Sequence, residues 1–284
     1  MVLKQTSNAF IRDNLAEKLP KKNLVKSPIS YPGGKSRAVR IINKFIPDDT
    51  EKIISPFFGG GKLELVWDSM GIKVIGYDLF DPVVDFWQIA IEDAKGMSIM
   101  AEQFVGHSKA YFKTLQNTYF KHQFASALQF FILNKSSFSG LTFSGGMSLS
   151  NPISQRNVEV LSEFSVNKLE VHLGHFRDTI ASNTDSTLMY LDPPYYLVDK
   201  SLCYGVNGDL QRNFPHDDLR AILGSKDNWI LSYNNRPEVR EWYKDYLMLE
   251  AEWSYGMVST GNYKTETELL IFSHDLGGLV EFEV

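Results

Sequence analysis

The chain has 284 residues, of which 43% are hydrophobic and 22% charged, and its formal net charge is −5 at pH 7. This composition excludes a disordered or fibrous protein, and the length suits one large α/β domain or a domain with an insertion. The negative charge excludes a uniformly basic surface, so any contact with nucleic acid must be local. The single cysteine, Cys203, excludes an internal disulfide and a zinc site built from cysteines.

The sequence shows no signal peptide at its start and no apolar run long enough to span a bilayer. We therefore expect a cytoplasmic protein without a membrane partner. The six histidines lack the spacing of metal ligands, so no bound metal is expected. Residues 1–21 are interpreted as a polar N-terminal extension without an assigned function.

The first informative stretch is a glycine loop, Tyr31-Pro32-Gly33-Gly34-Lys35, which precedes a run of residues with helical spacing at 38–46. Backbone amides at the start of a helix point towards an anion, and Lys35 adds a positive charge. The spacing excludes a Walker phosphate loop. A plain turn before a helix accounts for these residues equally well.

A second glycine loop, Pro56-Phe57-Phe58-Gly59-Gly60-Gly61, follows a predicted strand and precedes a predicted helix. The next predicted strand, 73–78, ends in Asp78. This order predicts a Rossmann-like βαβ unit, in which glycines let the backbone approach a ligand and the acid accepts hydrogen bonds from ribose hydroxyls. The full Gly-x-Gly-x-x-Gly pattern is absent, so a nucleoside-type cofactor is indicated rather than a dinucleotide.

The middle of the chain, from Asp81 to about Phe131, has helical spacing, and its aromatic residues are expected in the core. Lys109, Lys113 and Lys121 make it the more basic part, although a solvated helix face explains them equally well. The following segment, 134–157, is rich in serine and glycine and predicts a functional loop or hairpin.

The stretch Tyr190-Leu191-Asp192-Pro193-Pro194-Tyr195-Tyr196 follows a predicted buried strand at 186–189. Its two prolines remove two backbone donors and fix two φ angles, so the carbonyls of Asp192 and Pro193 are free to accept hydrogen bonds. Such an ending favours chemistry over a simple turn. Further strands are predicted at 169–173 and 229–235 and as a closing pair, 246–253 and 268–272; helices are predicted at 214–223 and 236–243.

These features, in this order, resemble the Dam, or D12, class of DNA adenine-N6 methyltransferases from about residue 27 to 272. The resemblance implies an α/β fold: a Rossmann-like S-adenosylmethionine-dependent methyltransferase sheet with helices on both faces and an inserted, mainly helical target-recognition domain. It implies a catalytic and cofactor-binding domain at 22–95 plus 166–284. The target-recognition, DNA-binding insert is expected at 96–165.

The resemblance also implies the residues of the site. The catalytic residues are expected to be Asp192, Pro193, Pro194 and Tyr195. The cofactor-binding residues are expected to be Tyr31, Gly33, Gly34, Lys35, Pro56, Phe57, Gly59, Gly61, Asp78, Phe176 and Asp192. The segments 134–141 and 268–270 are similar to further family segments. Two departures stand out: Ser55 replaces the usual Glu before Pro56, and Thr142-Phe143 replaces the usual Arg after Gly140-Leu141.

The implied reaction is site-specific transfer of a methyl group from S-adenosylmethionine to N6 of an adenine flipped out of duplex DNA. An exocyclic amine is a poor nucleophile because its lone pair is delocalised into the ring. The Asp192 carboxylate and the Pro193 carbonyl can accept both N–H groups and free that lone pair, while Tyr195 would stack on the base. The expected partners are double-stranded DNA and, in a restriction-modification system, a cognate restriction endonuclease.

Other functions share part of this pattern. The same motif type serves cytosine N4, RNA adenine and protein amide nitrogens. An inactive DNA-binding specificity partner is a further alternative, although the intact motif and both glycine loops disfavour it. A nicotinamide oxidoreductase is disfavoured by the incomplete dinucleotide pattern.

Overall fold

The computed structural model describes residues 26–33, 35, 38–148, 152–184, 187–196, 205–206, 208–253 and 266–277. Its framework is one sheet of seven strands. The strands are β1 (Lys52–Ser55), β2 (Lys73–Asp78), β3 (Leu169–Leu173), β4 (Leu188–Leu191), β5 (Trp229–Asn234), β6 (Leu247–Trp253) and β7 (Glu266–Phe272).

The strands lie in the order β3-β2-β1-β4-β5-β7-β6. Strands β1 to β5 pair in parallel, whereas β7 runs antiparallel to both β5 and β6. The chain moves outward from β1 to β3 on one side and from β4 on the other. The reversal between β1 and β4 creates the crevice in which open α/β sheets bind ligands.

Eleven α-helices are found within the described ranges, and none of them has the length and hydropathy needed to cross a bilayer. They are α1 (Val39–Ile42), α2 (Lys62–Ser69), α3 (Asp81–Glu102), α4 (Lys109–Gln116), α5 (Gln123–Ser136), α6 (Gln155–Ser162), α7 (Phe176–Ser182), α8 (Asp209–Arg212), α9 (His216–Leu223), α10 (Pro237–Trp242) and α11 (His274–Gly277). Two short 3-10 turns, Asn43–Phe45 and Phe138–Gly140, complete the helical structure.

Both faces of the sheet are buried. In β4, Tyr190 packs in one apolar cluster, together with α2, α3 and α5, while Met189 and Leu191 pack in a second cluster, together with α7, α9 and α10. Successive side chains of a strand point to opposite faces, so a strand that is apolar throughout requires helices on both sides. The predicted Rossmann-like sheet with helices on both faces is confirmed.

Two stretches differ from the sequence-based expectation. The predicted loop or hairpin at 134–157 is shorter than expected, because α5 continues to Ser136 and α6 begins at Gln155. Among the described residues of this stretch, an isolated antiparallel bridge joins Ser137 to Met147, as in a hairpin. The sequence predicts that residues 174–180 turn away from the strand 169–173, but the structure has the helix α7 from Phe176 onward. Residues 1–21, Gly34 and Cys203 lie outside the described residues. So do residues 259–265, for which the sequence leaves a DNA-facing loop and a plain surface loop equally open.

Helix α3 passes through the predicted boundary between residues 95 and 96. It contacts β2 and β3 as well as α5 and α6. Its one non-helical residue, Asp93, lies just before that boundary, with φ −149° and ψ 64°. The predicted insert therefore shares a helix with the sheet domain, and its role in target recognition stays a prediction.

The second glycine loop is fixed to the sheet and to α3. The Phe58 amide donates to the Tyr77 carbonyl at 2.9 Å, and the Trp87 indole N–H donates to the Gly59 carbonyl at 2.9 Å. The Phe58 ring lies on Gly76 of β2, where an added Cβ would be 2.1 Å from the ring. Gly76 thus provides the space that lets the loop lie close against the end of the sheet.

We expect Gly76→Ala to lower the free energy of unfolding by about 1–3 kcal/mol, because the new methyl group must displace Phe58 from a packed position. Urea denaturation measures this change. Gly146→Ala is the matched control, since Gly146 is exposed and an added Cβ there meets no atom within 4 Å. It should change the free energy by less than about 0.5 kcal/mol. Equal effects of the two substitutions would contradict the packing argument.

Candidate active site

Three of the predicted motifs meet at one edge of the sheet. The second glycine loop follows β1, Asp78 ends β2, and Asp192 is the first residue after β4. The carboxyl ends of parallel strands share an edge, and the order of strands reverses here. Residues far apart in the sequence are therefore brought to one crevice.

Two neighbouring cavities occupy this crevice. The larger has a volume of about 500 Å³, and the predicted residues that line it are Tyr31, Pro56, Phe57, Gly59, Asp78, Phe176, Asp192 and Pro194. The smaller has a volume of about 50 Å³, and the predicted residues that line it are Tyr31, Gly33, Lys35, Phe57, Gly59, Gly61 and Asp192. Four residues line both, so the cavities lie side by side. The larger volume is in the range of small-molecule sites.

A bigger groove of about 990 Å³ lies at the opposite edge of the sheet, near the amino ends of β1 and β2. Its lining includes Lys52 and Lys73 but none of the predicted site residues. Ligands of open α/β sheets bind beyond the carboxyl ends of the strands. We therefore assign the candidate site to the smaller pair of cavities.

Asp78 fixes the glycine loop at the edge of the larger cavity. Its Oδ2 accepts from the Gly59 amide at 2.8 Å and its Oδ1 from the Phe80 amide at 3.0 Å. Burial raises the pKa of Asp78, and these amide hydrogen bonds oppose the rise. Each carboxylate oxygen has two lone pairs, so Asp78 can hold the loop and still accept from a ligand hydroxyl.

Three phenylalanines form an apolar wall of the larger cavity. The ring centroid of Phe57 lies 5.5 Å from that of Phe176 and 5.6 Å from that of Phe214, and the last two are 5.4 Å apart. The wall can contact the face or edge of a planar ring. The sequence did not indicate Phe214, because it lies just before α9, far along the chain from Phe57.

Lys35 is buried between two carboxylates. Its Nζ lies 2.8 Å from Asp192 Oδ1 and 3.6 Å from Glu268 Oε2, and only 4% of the residue is exposed. It also donates to the Gly33 carbonyl at 3.2 Å and to the Tyr195 hydroxyl at 2.6 Å. Glu268 itself is 1% exposed. One buried cation thus joins the first glycine loop, the end of β4 and strand β7.

The charges of this group depend on one another. Burial alone would lower the pKa of Lys35, but the charges of Asp192 and Glu268 more than offset it and hold the pKa above its ordinary value. Burial raises the pKa of both Asp192 and Glu268, and the positive charge of Lys35 limits the rise. Ser232 further supports Glu268 by donating to Oε2 at 3.0 Å.

Tyr195 points into the protein. Its hydroxyl accepts from Lys35, and its ring stacks on Tyr233 with centroids 5.9 Å apart and an interplanar angle of 20°. Neither Tyr195 nor the buried Pro193 lines the two cavities. Stacking of Tyr195 on a base therefore stays a prediction. Since one face of the ring already lies against Tyr233, the base would have to stack on the other face, or the side chain would have to rotate.

A further buried acid, Glu64, lies in the small cavity. The Ser55 hydroxyl donates to its Oε1 at 2.7 Å, and burial raises the pKa of Glu64 to about 7. One sequence signal could have indicated Glu64, namely its place as an acid in the first turn of the helix that follows the glycine loop. The hydroxyl of Tyr190, which also lines this cavity, is buried and has no hydrogen-bond partner among the described residues.

In the described part of the chain, no three histidine, cysteine or acidic side chains lie close enough together to hold a metal ion.

A comparison with protein-family models matches residues 31–257 to the family described as D12 class N6 adenine-specific DNA methyltransferase. The matched range includes both glycine loops, Asp78 and Asp192 to Tyr195. No curated protein matches the chain.

We expect Lys35→Met to lower the free energy of unfolding by about 3–5 kcal/mol at pH 7, because it leaves two buried carboxylates without their cation. A carboxyl whose pKa is higher in the folded state stabilises the fold at low pH, and this contribution is lost as pH rises through the folded pKa. The deficit should therefore shrink as the pH is lowered from 7, because the raised pKa values of Asp192 and Glu268 let both carboxylates take up protons. Urea denaturation at several pH values measures it.

Two variants make this test specific. Adding Glu268→Gln to Lys35→Met removes one of the two like charges and should recover part of the stability. Lys244→Met removes an exposed lysine that pairs with Glu241 on the surface, and it should change the free energy by less than about 1 kcal/mol. A deficit of Lys35→Met that does not depend on pH would contradict the electrostatic explanation.

Proposed function

The chain belongs to the D12 class of N6 adenine-specific DNA methyltransferases, and we propose that it transfers the methyl group of S-adenosylmethionine to N6 of an adenine flipped out of duplex DNA. The observation that carries the proposal is the position of Asp192. Its side chain lines both cavities and is held by Lys35 at 2.8 Å. A reacting amine that approaches Asp192 would thus lie beside the cavity that fits a nucleoside-sized cofactor.

The larger cavity suits S-adenosylmethionine in size and in the order of its side chains. Phe57, Phe176 and Phe214 offer an apolar wall for an adenine ring, and Asp78 offers a carboxylate for ribose hydroxyls. Gly59 of the glycine loop and Asp192 line this cavity together. When bound, this cofactor would supply a sulfonium methyl group.

Asp192 would activate the amine. Its carboxylate and the Pro193 carbonyl, next to a proline that has no N–H of its own, can accept the two N–H groups of adenine N6 and draw the nitrogen lone pair out of the ring. After transfer, the nitrogen carries one proton too many. Asp192, whose carboxylate would accept from this amine and whose pKa is raised by burial, would receive it.

Lys35 would position Asp192 for this step. Its ammonium is bound by Asp192, Glu268 and the Tyr195 hydroxyl, so the rotation of the Asp192 carboxyl is restricted. Holding one reactant group in a fixed orientation is a main source of rate in a transfer between two bound molecules.

The segment 96–165 is proposed to recognise the DNA target. Lys109, Lys113 and Lys121 are exposed on it, at or near α4. Cationic side chains that contact phosphates hold a protein on DNA without reading its sequence. The overall negative charge of the chain makes such a local group necessary.

The reaction is tested with radiolabelled S-adenosylmethionine offered separately with duplex DNA, RNA and protein. We expect label only in duplex DNA, as N6-methyladenine after digestion to nucleosides. Label in N4-methylcytosine or in RNA would favour the corresponding alternative, and failure to bind S-adenosylmethionine would favour an inactive DNA-binding partner. Sequencing of plasmid DNA for modified adenines, after expression, would give the recognition site.

We expect Asp192→Ala to lower methyl transfer by at least roughly 100-fold while the free energy of unfolding stays sufficient for a folded protein, because the amine loses its acceptor. Asp217→Ala, at an exposed position on α9, is the control and should leave the rate unchanged. A folded Asp192→Ala protein that keeps the full rate would overturn the assignment.

We expect replacement of Lys109 and Lys121 by Gln to weaken DNA binding and to reduce the slope of log affinity against log salt by about 1 per lost phosphate contact. Fluorescence anisotropy with labelled duplex DNA measures both quantities. The matched control replaces Lys52 and Lys73, at the opposite edge of the sheet. The same loss in both double variants would contradict a DNA-binding role for the insert.

A further inference from the structure

The small cavity beside the glycine loop contains polar groups whose hydrogen bonds and charges the described residues satisfy only in part. It is lined by Glu64, Tyr190, Asp192 and Lys62 as well as by backbone of the loop, and its volume is about 50 Å³. A water molecule needs about 10–15 Å³ of such space. The cavity therefore accepts a group of a few atoms, although not an aromatic ring.

Glu64 is the acidic group of this cavity. The residue is 4% exposed, and its carboxyl receives a hydrogen bond from Ser55 and further ones from the backbone at the start of α2. These hydrogen bonds lower the pKa of Glu64 less than burial raises it, and the pKa remains at about 7. The partners therefore do not fully compensate for the burial of the carboxylate. A buried carboxyl of this kind gains most from a cation placed against it.

Tyr190 provides a second polar atom in the same place. The residue is 1% exposed, and its hydroxyl has no partner within the described ranges. A buried hydroxyl without a partner costs about 1–3 kcal/mol. Burial and the nearby charge of Asp192 keep the pKa of Tyr190 well above its ordinary value, so the group stays neutral and can accept a hydrogen bond.

The two lysines nearby are poorly placed to serve as the missing cation for Glu64. Lys35 is already bound by Asp192, Glu268 and Tyr195. Lys62 lines the cavity, burial lowers its pKa, and no ion pair joins it to Glu64 among the described residues. A ligand can therefore supply the positive charge that would balance Glu64.

We propose that Glu64, supported by Ser55 and Tyr190, binds the α-ammonium group of a ligand that carries an amino-acid end, here the methionine end of S-adenosylmethionine. The proposal rests on the proposed function for the identity of that ligand. Glu64 and Tyr190 accept from the ammonium, and Lys62 lies on the lining where the α-carboxylate can approach it. The larger cavity holds the nucleoside end.

The arrangement explains a departure noted in the sequence. Ser55 ends β1 where the family usually carries Glu. Its hydroxyl instead holds the carboxyl of Glu64, nine residues further on, at 2.7 Å. The chain thus keeps an acid at this point of the site but supplies it from helix α2.

The test compares two ligands by isothermal titration calorimetry: S-adenosylhomocysteine and its analogue in which hydrogen replaces the α-ammonium group. The unmodified protein should bind the parent compound at least about 30-fold more tightly than the analogue, as expected for a buried charge pair. Glu64→Gln should remove most of this preference and leave the affinity for the analogue unchanged. Glu163→Gln, at an exposed position, is the matched control and should keep the full preference.

Proton release gives a second measurement. Glu64 must be ionised to pair with an ammonium, so binding lowers its pKa, and protons are released between about pH 5 and pH 7. The affinity should fall as pH decreases through this range. Titrations in two buffers with different ionisation enthalpies measure the release, which Glu64→Gln should abolish.

The outcomes separate this inference from the proposed function. If the unmodified protein binds S-adenosylhomocysteine but Glu64→Gln retains the preference for the ammonium, the inference is wrong and the proposed function stands. If neither S-adenosylmethionine nor S-adenosylhomocysteine binds, both fail. Should Glu64→Gln not fold, Tyr190→Phe replaces it: a several-fold loss for the parent compound alone supports the site, and an equal loss for both ligands overturns it.

Discussion

The site depends on one buried ion pair with an additional acid. Lys35 Nζ lies between Asp192 and Glu268, and these three residues come from the first glycine loop, the end of β4 and strand β7. Removing a charge from water is costly, and the cost is recovered only where the partner is close and other hydrogen bonds are satisfied. The Gly33 carbonyl and the Tyr195 hydroxyl satisfy this condition for Lys35. The antiparallel strand β7 is therefore part of the candidate active site, because it carries the second acid.

Much of this could be predicted from the sequence where the signal is local. Runs of apolar residues that end in Asp78 or Asp192 predict strands with acids at their tips, and the rule that parallel strands share a carboxyl edge brings these acids together. The glycine loop after β1 was found in the same way. The loop lies where it does because the Phe58 ring approaches Gly76 closely, and no sequence pattern shows this contact.

The remaining features depend on contacts between distant residues. The sequence places Glu268 in a closing strand and in a family-like segment but not at the site, because its contact with Lys35 joins positions more than two hundred residues apart. Phe214 joins the aromatic wall only once α7 and α9 pack together. The inward position of Tyr195 depends on a side-chain rotation that leaves no mark in the sequence. Helix α6 was missed because a serine-rich stretch favours caps and turns as well as loops, and here Ser154 caps it.

The three carboxylates at this edge of the sheet have different hydrogen-bond and charge partners. Such a difference suits the proposed reaction, in which a positive charge moves from one bound molecule to another. Asp78 is bound by two backbone amides, Asp192 by Lys35, and Glu64 by Ser55 and the backbone of α2. In the proposed reaction a sulfonium loses its charge while the amine nitrogen gains one. A carboxylate beside the nitrogen is favoured by that change, because the charge develops towards it. In this proposal, the attraction at Asp192 would increase along the reaction, whereas Glu64, in the small cavity, would hold a charge that does not move. Binding and chemistry would thus be divided between two acids that line the same cavity.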